Sequence, residues 1–172
     1  MQHMGERNQR GFTLLELMVV VAILGVLAAI VVPAWAKDSR KGRAKAEVAA
    51  MFAELRYKEE SYRIDNPAYL GAVTCPTTPS AVPQDVSACF GSGLAWTTLR
   101  IQPPTKSLYC TYKIVVGDAN SATSPPNGFV MATPAVGWYY ILATCNMDGK
   151  PGNSLYFTSS VDPTIQYSNE GN

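Results

Sequence analysis

The fold of this chain is decided by residues 10–32, which read RGFTLLELMVVVAILGVLAAIVV. A run of about 20 apolar residues is long enough to span a bilayer as a helix. The one ionisable residue between Phe12 and Val32 is Glu16, and a carboxylate at that depth is costly unless it is partnered. If the chain is cut after Gly11, the new amine of Phe12 lies one helical turn from Glu16 on the same face. The two charges can then pair, within one chain or between neighbours.

The segment Gly11-Phe12-Thr13-Leu14-Leu15-Glu16 resembles the type III prepilin signal of type IV pilins and the related pseudopilins. A short basic leader, a Gly, a Phe and a Glu precede the apolar span in fixed order. The resemblance implies that a prepilin peptidase removes the leader, Met1 to Gly11, and N-methylates Phe12. It also implies that Glu16 acts in assembly by facing the Phe12 amine of an adjacent subunit in a fibre.

Two other interpretations of the apolar run remain open. It can be an ordinary membrane anchor, or the core of a secretory signal peptide with Arg7 and Arg10 before it and an A-x-A cleavage site at Ala34-Trp35-Ala36. The signal peptide is disfavoured because it leaves Glu16 unexplained. Its apolar core is also longer than is usual for a signal peptide.

The charges around the span give conflicting topologies. The leader's arginines favour a cytoplasmic N-terminus, yet residues 37–45 carry five Lys or Arg against one Asp on the other flank. We predict that the second flank is exported, because the cysteines and the prepilin motif both require it. The expected location is the inner membrane, as a single-pass protein with the N-terminus inside, and then an extracellular pilus after assembly.

A long helix is predicted from Phe12 to Asp65, where Asn66-Pro67 ends it. Residues 12–35 are its membrane and assembly stem, and residues 36–66 are its amphipathic half. One face of that half carries apolar residues at helical spacing, namely Val48, Met51, Phe52, Leu55 and Tyr62. Two i,i+4 charge pairs are expected on the helix, Glu54 with Lys58 and Glu59 with Arg63.

Two helix breakers, Gly25 and Pro33, lie in the stem. Gly lowers helix stability, and Pro removes a hydrogen bond and bends the helix. The resemblance implies that such residues lie where the stem bends or melts locally within a filament. We therefore predict that they are points of compliance under tension.

Residues 67–172 are predicted to form a globular head with a connecting loop, an antiparallel sheet and a C-terminal tail. Three segments rich in aromatic and β-branched residues indicate strands, namely 108–116, 138–144 and 154–158. Residues 129–132 are expected to add a short strand, 74–93 to form the connecting loop, and 118–128 an exposed hairpin tip. The predicted class is α+β, with a long N-terminal helix packed on an antiparallel sheet, which is the pilin fold.

Four cysteines, Cys75, Cys89, Cys110 and Cys145, all follow the apolar run. An even number in an exported domain favours disulfides, and the spacing has no C-x-x-C pair of the kind typical of zinc sites. Three connectivities are possible. We favour Cys75 with Cys89 and Cys110 with Cys145, because the second pair can clamp two strands.

Enzyme chemistry and cofactors are not expected. The only histidine is His3 in the leader, so the mature chain has no imidazole for catalysis or metal binding. The formal net charge is +1, which gives no support for nucleic-acid binding. One weak calcium candidate is the loop containing Asn146, Asp148 and Asn153, whose residues turn chemistry explains equally well.

The primary hypothesis is a structural subunit of a type IV pilus, a major or, preferred here, a minor pilin, serving twitching motility, adhesion or DNA uptake. Its expected partners are other pilin subunits, the inner membrane, the prepilin peptidase and the pilus assembly machinery. The first alternative is a pseudopilin of a type II secretion system. The second is a secreted soluble binding protein released after Ala36.

Overall fold

The computed structural model describes residues 12–169. The chain divides into two compact units, Met1–Lys37 and Asp38–Asn172. We refer to their described parts, residues 12–37 and 38–169, as the N-terminal unit and the C-terminal unit. The N-terminal unit is helical, and the C-terminal unit contains the second half of the same helix and a sheet.

Helix α1 spans Leu14–Asp65 and runs without a break through Gly25 and Pro33. It ends where the sequence predicts, because Pro67 cannot continue a helix. The Asn66 side-chain amide donates to the Tyr62 carbonyl at 2.9 Å and satisfies one of the last free carbonyls. Arg63 in turn donates to the Asn66 carbonyl at 3.1 Å.

The remaining elements are short helical segments and strands. In chain order they are β1 (Ala72–Cys75), β2 (Gln84–Asp85), a 3₁₀ turn (Ser87–Cys89), α2 (Ala95–Thr98), β3 (Ser107–Leu108), β4 (Cys110–Gly117), β5 (Trp138–Cys145), β6 (Ser154–Ser159) and β7 (Gln166–Ser168). Five strands form one antiparallel sheet in the order β1-β4-β5-β6-β7, and β2 pairs with β3 separately. The long helix and the antiparallel sheet confirm the predicted α+β class.

The main core lies between α1 and one face of the sheet. Alternation along the strands directs every second side chain to that face, and the predicted apolar stripe of α1 meets it. The stripe is buried except at Tyr62, which is half-buried. The strand residues in this core are Tyr112, Ile114, Tyr139, Ile141, Ala143 and Tyr156.

A second, smaller core covers the opposite face of the sheet. It consists of Phe129, Trp138, Tyr140 and Phe157. The Phe129 and Phe157 rings stack with centroids 5.2 Å apart, and the Tyr140 ring lies 5.3 Å from that of Phe157. Phe129 comes from the connection between β4 and β5, so this connection contributes one buried ring to the sheet face, while Val130 and Val136 beside it are exposed.

The prediction of a strand at residues 129–132 is wrong. Instead of a neighbouring strand, the side chain of Gln166 meets this segment: the Val130 amide donates to Gln166 Oε1 at 3.3 Å, and Gln166 Nε2 donates to the Val130 carbonyl at 3.1 Å. One side-chain amide thus satisfies the backbone groups that a strand ladder would otherwise pair. The segment is irregular because it lies across the sheet face and does not extend the sheet edge.

Candidate assembly site and the contacts of the C-terminal unit

The N-terminus of α1 is closed by a capping box formed by Thr13 and Glu16. The Glu16 amide donates to Thr13 Oγ1 at 3.2 Å, and the Thr13 amide donates to Glu16 Oε2 at 3.4 Å. In this reciprocal arrangement each side chain satisfies a backbone donor that the first helical turn leaves free. The pattern T-x-x-E at Thr13 and Glu16 is the sequence signal for this capping box, which the predicted pairing of Glu16 with the Phe12 amine did not include.

The predicted cleavage site is only partly described. Gly11 lies outside the described residues, whereas Phe12 is described and is 83% exposed. The capping box places the Glu16 carboxylate on the backbone next to Phe12. Within one chain, therefore, this carboxylate faces the end of the helix at which the resemblance implies a new amine.

The large apolar side chains of the N-terminal unit are exposed. Leu24 is 58% exposed, Leu27 54% and Ile30 71%. The helix is long and apolar enough to cross a membrane, and none of its apolar window is buried. Such a surface requires an apolar environment outside the chain, either lipid or other helices.

The two predicted helix breakers lie in regular helix. A Cβ added at Gly25 would meet nothing within 4 Å, so no packing contact within the described residues requires a glycine there. Pro33 lies inside α1. Their role as points of compliance stays a prediction.

In the C-terminal unit, the Glu47 carboxylate ties α1 to the start of the central strand pair. It accepts from the Tyr109 amide at 2.9 Å and from the Cys110 amide at 2.9 Å. The Tyr112 hydroxyl donates to the same carboxylate at 3.1 Å. Burial, together with this carboxylate, raises the pKa of the Tyr112 hydroxyl, so the hydroxyl stays a donor.

The predicted pair of Glu54 and Lys58 is present, with Nζ 3.7 Å from Oε1. Glu54 also accepts from the Gln102 amide at 2.7 Å. The predicted pair of Glu59 and Arg63 is wrong. Glu59 is fully buried and accepts from the Leu70 amide at 3.0 Å, because its position on α1 faces the core and not solvent.

Glu60 is the fourth carboxylate of α1 that holds a distant segment. The hydroxyl of Tyr139 donates to its Oε1 at 3.2 Å, and that of Tyr69 to its Oε2 at 3.3 Å. The Tyr69 and Tyr139 rings pack edge to face at 4.8 Å. Burial and the Glu60 charge raise the pKa of both hydroxyls. The sequence pattern gives no signal for these contacts, since an acidic residue on a helix usually faces solvent.

The cysteines pair as Cys75–Cys89 and Cys110–Cys145, with Cα atoms 5.8 Å and 4.3 Å apart. This is the connectivity favoured from the sequence. Cys110 and Cys145 are opposite residues in the ladder of β4 and β5, so the second disulfide clamps the two central strands. The first disulfide joins β1 to the 3₁₀ turn.

Two of the three calcium-candidate residues form hydrogen bonds within their own turn. Asn146 Oδ1 accepts from the Gly149 amide at 2.8 Å, and Asp148 Oδ1 accepts from the Lys150 amide at 3.0 Å. Asn153 lies one residue before β6. Among residues 12–169 no group of three or more His, Cys, Asp or Glu side chains is placed to hold a metal. The turn needs these oxygens itself, and calcium binding stays a prediction.

Three features of α1 and the unit that follows it bear on the function of the chain. The helix begins at a capping box next to the predicted cleavage site, carries an exposed apolar segment and continues into a disulfide-bonded α+β unit. Residues 7–32 match the family model of the prokaryotic N-terminal methylation motif. The described chain thus joins a segment that matches this motif to an α+β unit.

Several curated proteins are similar in sequence to part of this chain. The chain is 42% identical over 93 residues to the type II secretion system core protein G of Dickeya chrysanthemi, covering 46% of this chain and 58% of the relative. It is 42% identical over 82 residues to the core protein G of Klebsiella pneumoniae, covering 48% and 54%. For the core protein G of Pseudomonas aeruginosa the values are 45% over 69 residues, covering 38% and 46%. The chain therefore spans about half the length of the curated relatives it matches.

No solved structure matches the chain. The relatives are named as core proteins of a secretion system, which agrees with the expectation of a non-enzymatic subunit. The apolar helix and the methylation motif indicate anchoring in the inner membrane. Between the two filament systems considered from the sequence, the relatives favour the secretion pseudopilus over the type IV pilus.

Proposed function

We propose that this chain is a pseudopilin, a structural subunit of the filament of a type II secretion system. The observation that carries the proposal is the similarity to core protein G in three species. The exposed apolar surface of the N-terminal unit supports it, because subunits that bundle such helices remove that surface from lipid or water.

In this proposal the leader 1–11 is removed after Gly11, Phe12 becomes the methylated N-terminus, and residues 12–35 anchor the subunit until it assembles. On assembly Glu16 exchanges its capping contact for the Phe12 amine of a neighbour. The exchange replaces a hydrogen bond to a neutral amide by one to a cation, which is stronger in an apolar environment. The remaining residues form the part that projects from the filament core.

The first test is mass spectrometry of the N-terminus of the protein purified from its native membrane. A chain that begins with N-methylated Phe12 is the expected result. A chain that begins at Lys37 would show an ordinary signal peptide and overturn the proposal together with the role of Glu16.

The second test separates capping from assembly. We expect Glu16→Ala to abolish incorporation into filaments, because it removes the only acidic partner for the neighbour's amine in the apolar segment. Thr13→Ala is the matched control, since it removes one half of the capping box and keeps the carboxylate. Incorporation is measured by recovery of the subunit in sheared filament fractions. Equal incorporation of Glu16→Ala and wild type would contradict the mechanism.

A third test chooses between the two filament systems. Deletion of the gene in its native host is expected to stop export of folded proteins into the medium and to leave surface fibres intact. Loss of surface fibres or twitching with normal export would instead support the type IV pilus.

A further inference from the structure

Glu59 is the most buried ionisable side chain of α1. Its side chain has no solvent exposure and faces the main core. Oε2 accepts from the Leu70 amide at 3.0 Å, and Oε1 has no hydrogen-bond partner within the described residues. We call the hydrogen bond between Leu70 and Glu59 the Glu59 contact. It joins the last turns of α1 to the junction, residues 66–71, that leads into β1.

The charged and titratable groups around Glu59 do not neutralise it. Glu60, the next residue on α1, is itself a carboxylate and is occupied by the Tyr69 and Tyr139 hydroxyls. Arg63 donates to the Asn66 carbonyl, and its guanidinium lies 5.8 Å from the Tyr69 ring centroid. Within residues 12–169 Glu59 has no ion pair with Lys or Arg, since Lys58 pairs with Glu54 and the Arg56 guanidinium acts on the Tyr139 hydroxyl.

A buried carboxylate without a cation favours its neutral form. Burial raises the pKa of Glu59 to about 7, the Leu70 amide opposes this, and the charge of Glu60 adds to it. When the junction opens and Glu59 reaches water, the carboxyl returns to its ordinary pKa near 4.5. Ionisation is therefore easier in the open form than in the closed form.

We propose that the Glu59 contact holds the junction between α1 and β1 closed, and that it does so more strongly at low pH than at high pH. The junction is closed when the Glu59 carboxyl is neutral, and ionisation of the carboxyl favours its opening. This inference concerns the C-terminal unit alone and holds whichever filament the chain joins. Because β1 is the edge strand of the sheet, the pH around the C-terminal unit controls how firmly that edge is held.

The sign of the effect follows from the two protonation states. A carboxyl whose pKa is higher in the closed form stabilises the closed form below its open-state pKa. This stabilisation is lost progressively as the pH rises through the closed-state pKa. The equilibrium constant for opening should accordingly rise between about pH 4.5 and pH 7 and stay constant above.

The test is amide hydrogen exchange of the full-length protein in detergent micelles, with protection factors corrected for the intrinsic exchange rate. We expect the protection of the Leu70 amide to fall by roughly ten- to a hundredfold from pH 5 to pH 8, since each unit of pKa difference corresponds to a factor of about ten. In Glu59→Gln, which keeps an acceptor oxygen and cannot ionise, the protection should be the same at both pH values.

The Gln102 amide supplies an internal control, because it donates to Glu54, a carboxylate that is accessible and paired with Lys58. Its protection should not change between pH 5 and pH 8. Equal protection of the wild-type Leu70 amide at both pH values would overturn the inference. If Glu59→Gln does not fold, NMR titration of the Glu59 carboxyl carbon in the wild type decides instead. A titration midpoint near pH 7 supports the proposed role of the Glu59 contact, and a midpoint near pH 4.5 excludes it.

Discussion

The N-terminal and C-terminal units use the same kinds of side chain in opposite ways. In the first, leucines of α1 such as Leu24 and Leu27 are more than half exposed, whereas Leu55 on the same helix has no exposure. Within residues 12–169 Glu16 bonds to its own helix end, whereas Glu47 accepts from the Tyr109 amide, which is 62 residues away and next to β4. The C-terminal unit is thus stabilised by its own contacts, while the N-terminal unit presents a surface suited to partners outside the chain.

The strongest stabilising link confined to the C-terminal unit is the disulfide between the central strands. Replacing both Cys110 and Cys145 with Ala should lower the free energy of unfolding by about 4 kcal/mol, because the bond closes a loop with a sequence separation of 35. Urea unfolding of the full-length protein in micelles, followed by tryptophan fluorescence, measures this. The matched pair is Cys75 and Cys89, with a separation of 14, where we expect about 3 kcal/mol. A larger loss from the shorter loop would contradict the loop-closure argument.

The comparison is tested most directly by one substitution made twice in α1. Leu55→Ala should lower the free energy of unfolding of the C-terminal unit by about 3 kcal/mol, because it leaves a cavity in the core. Leu27→Ala should change it by less than about 0.5 kcal/mol. The same unfolding experiment serves both. Similar losses from the two variants would show that the N-terminal unit contributes to the stability of the rest.

The smallest of these effects concerns the carboxylates. Glu47→Gln should lower the free energy of unfolding by about 1–2 kcal/mol, since an amide group cannot accept from all three donors that meet the carboxylate. Glu54→Gln is the control, with one amide donor and an accessible ion pair, and a loss of about 0.5 kcal/mol is expected. If the control lost as much stability as Glu47→Gln, the Glu47 network would have no special role.

The sequence predicts those elements whose start, end or buried face is set by residues close to one another along the chain. The end of α1 at Asn66-Pro67, the apolar stripe around Leu55 and the central strands follow from periodicity and breakers. The edge strands β1 and β7 were missed because each has only three or four residues. Such short segments become strands by pairing with a neighbouring strand, and that strand is too far along the chain to be seen in a local stretch of sequence.

The missed contacts share a physical cause. The i,i+4 spacing of Glu59 and Arg63 is a local pattern that predicts a surface ion pair. The burial of Glu59 depends instead on where the junction that contains Leu70 packs. The segment around Val130 was predicted to be a strand from composition, but its partner is the side chain of Gln166, which is 36 residues away. Hydrogen bonds and ion pairs within one helical turn can be predicted from the sequence, whereas those between groups that meet only after folding cannot.

The disulfide connectivity has a consequence for how the chain is made. The cysteines are bonded as consecutive pairs in chain order, the first to the second (Cys75 to Cys89) and the third to the fourth (Cys110 to Cys145). A chain that meets an oxidant progressively from its N-terminal side therefore has the correct partner as the first one available at each step. Oxidation in the order of emergence therefore yields the native bonds directly, without a step that exchanges mispaired bonds.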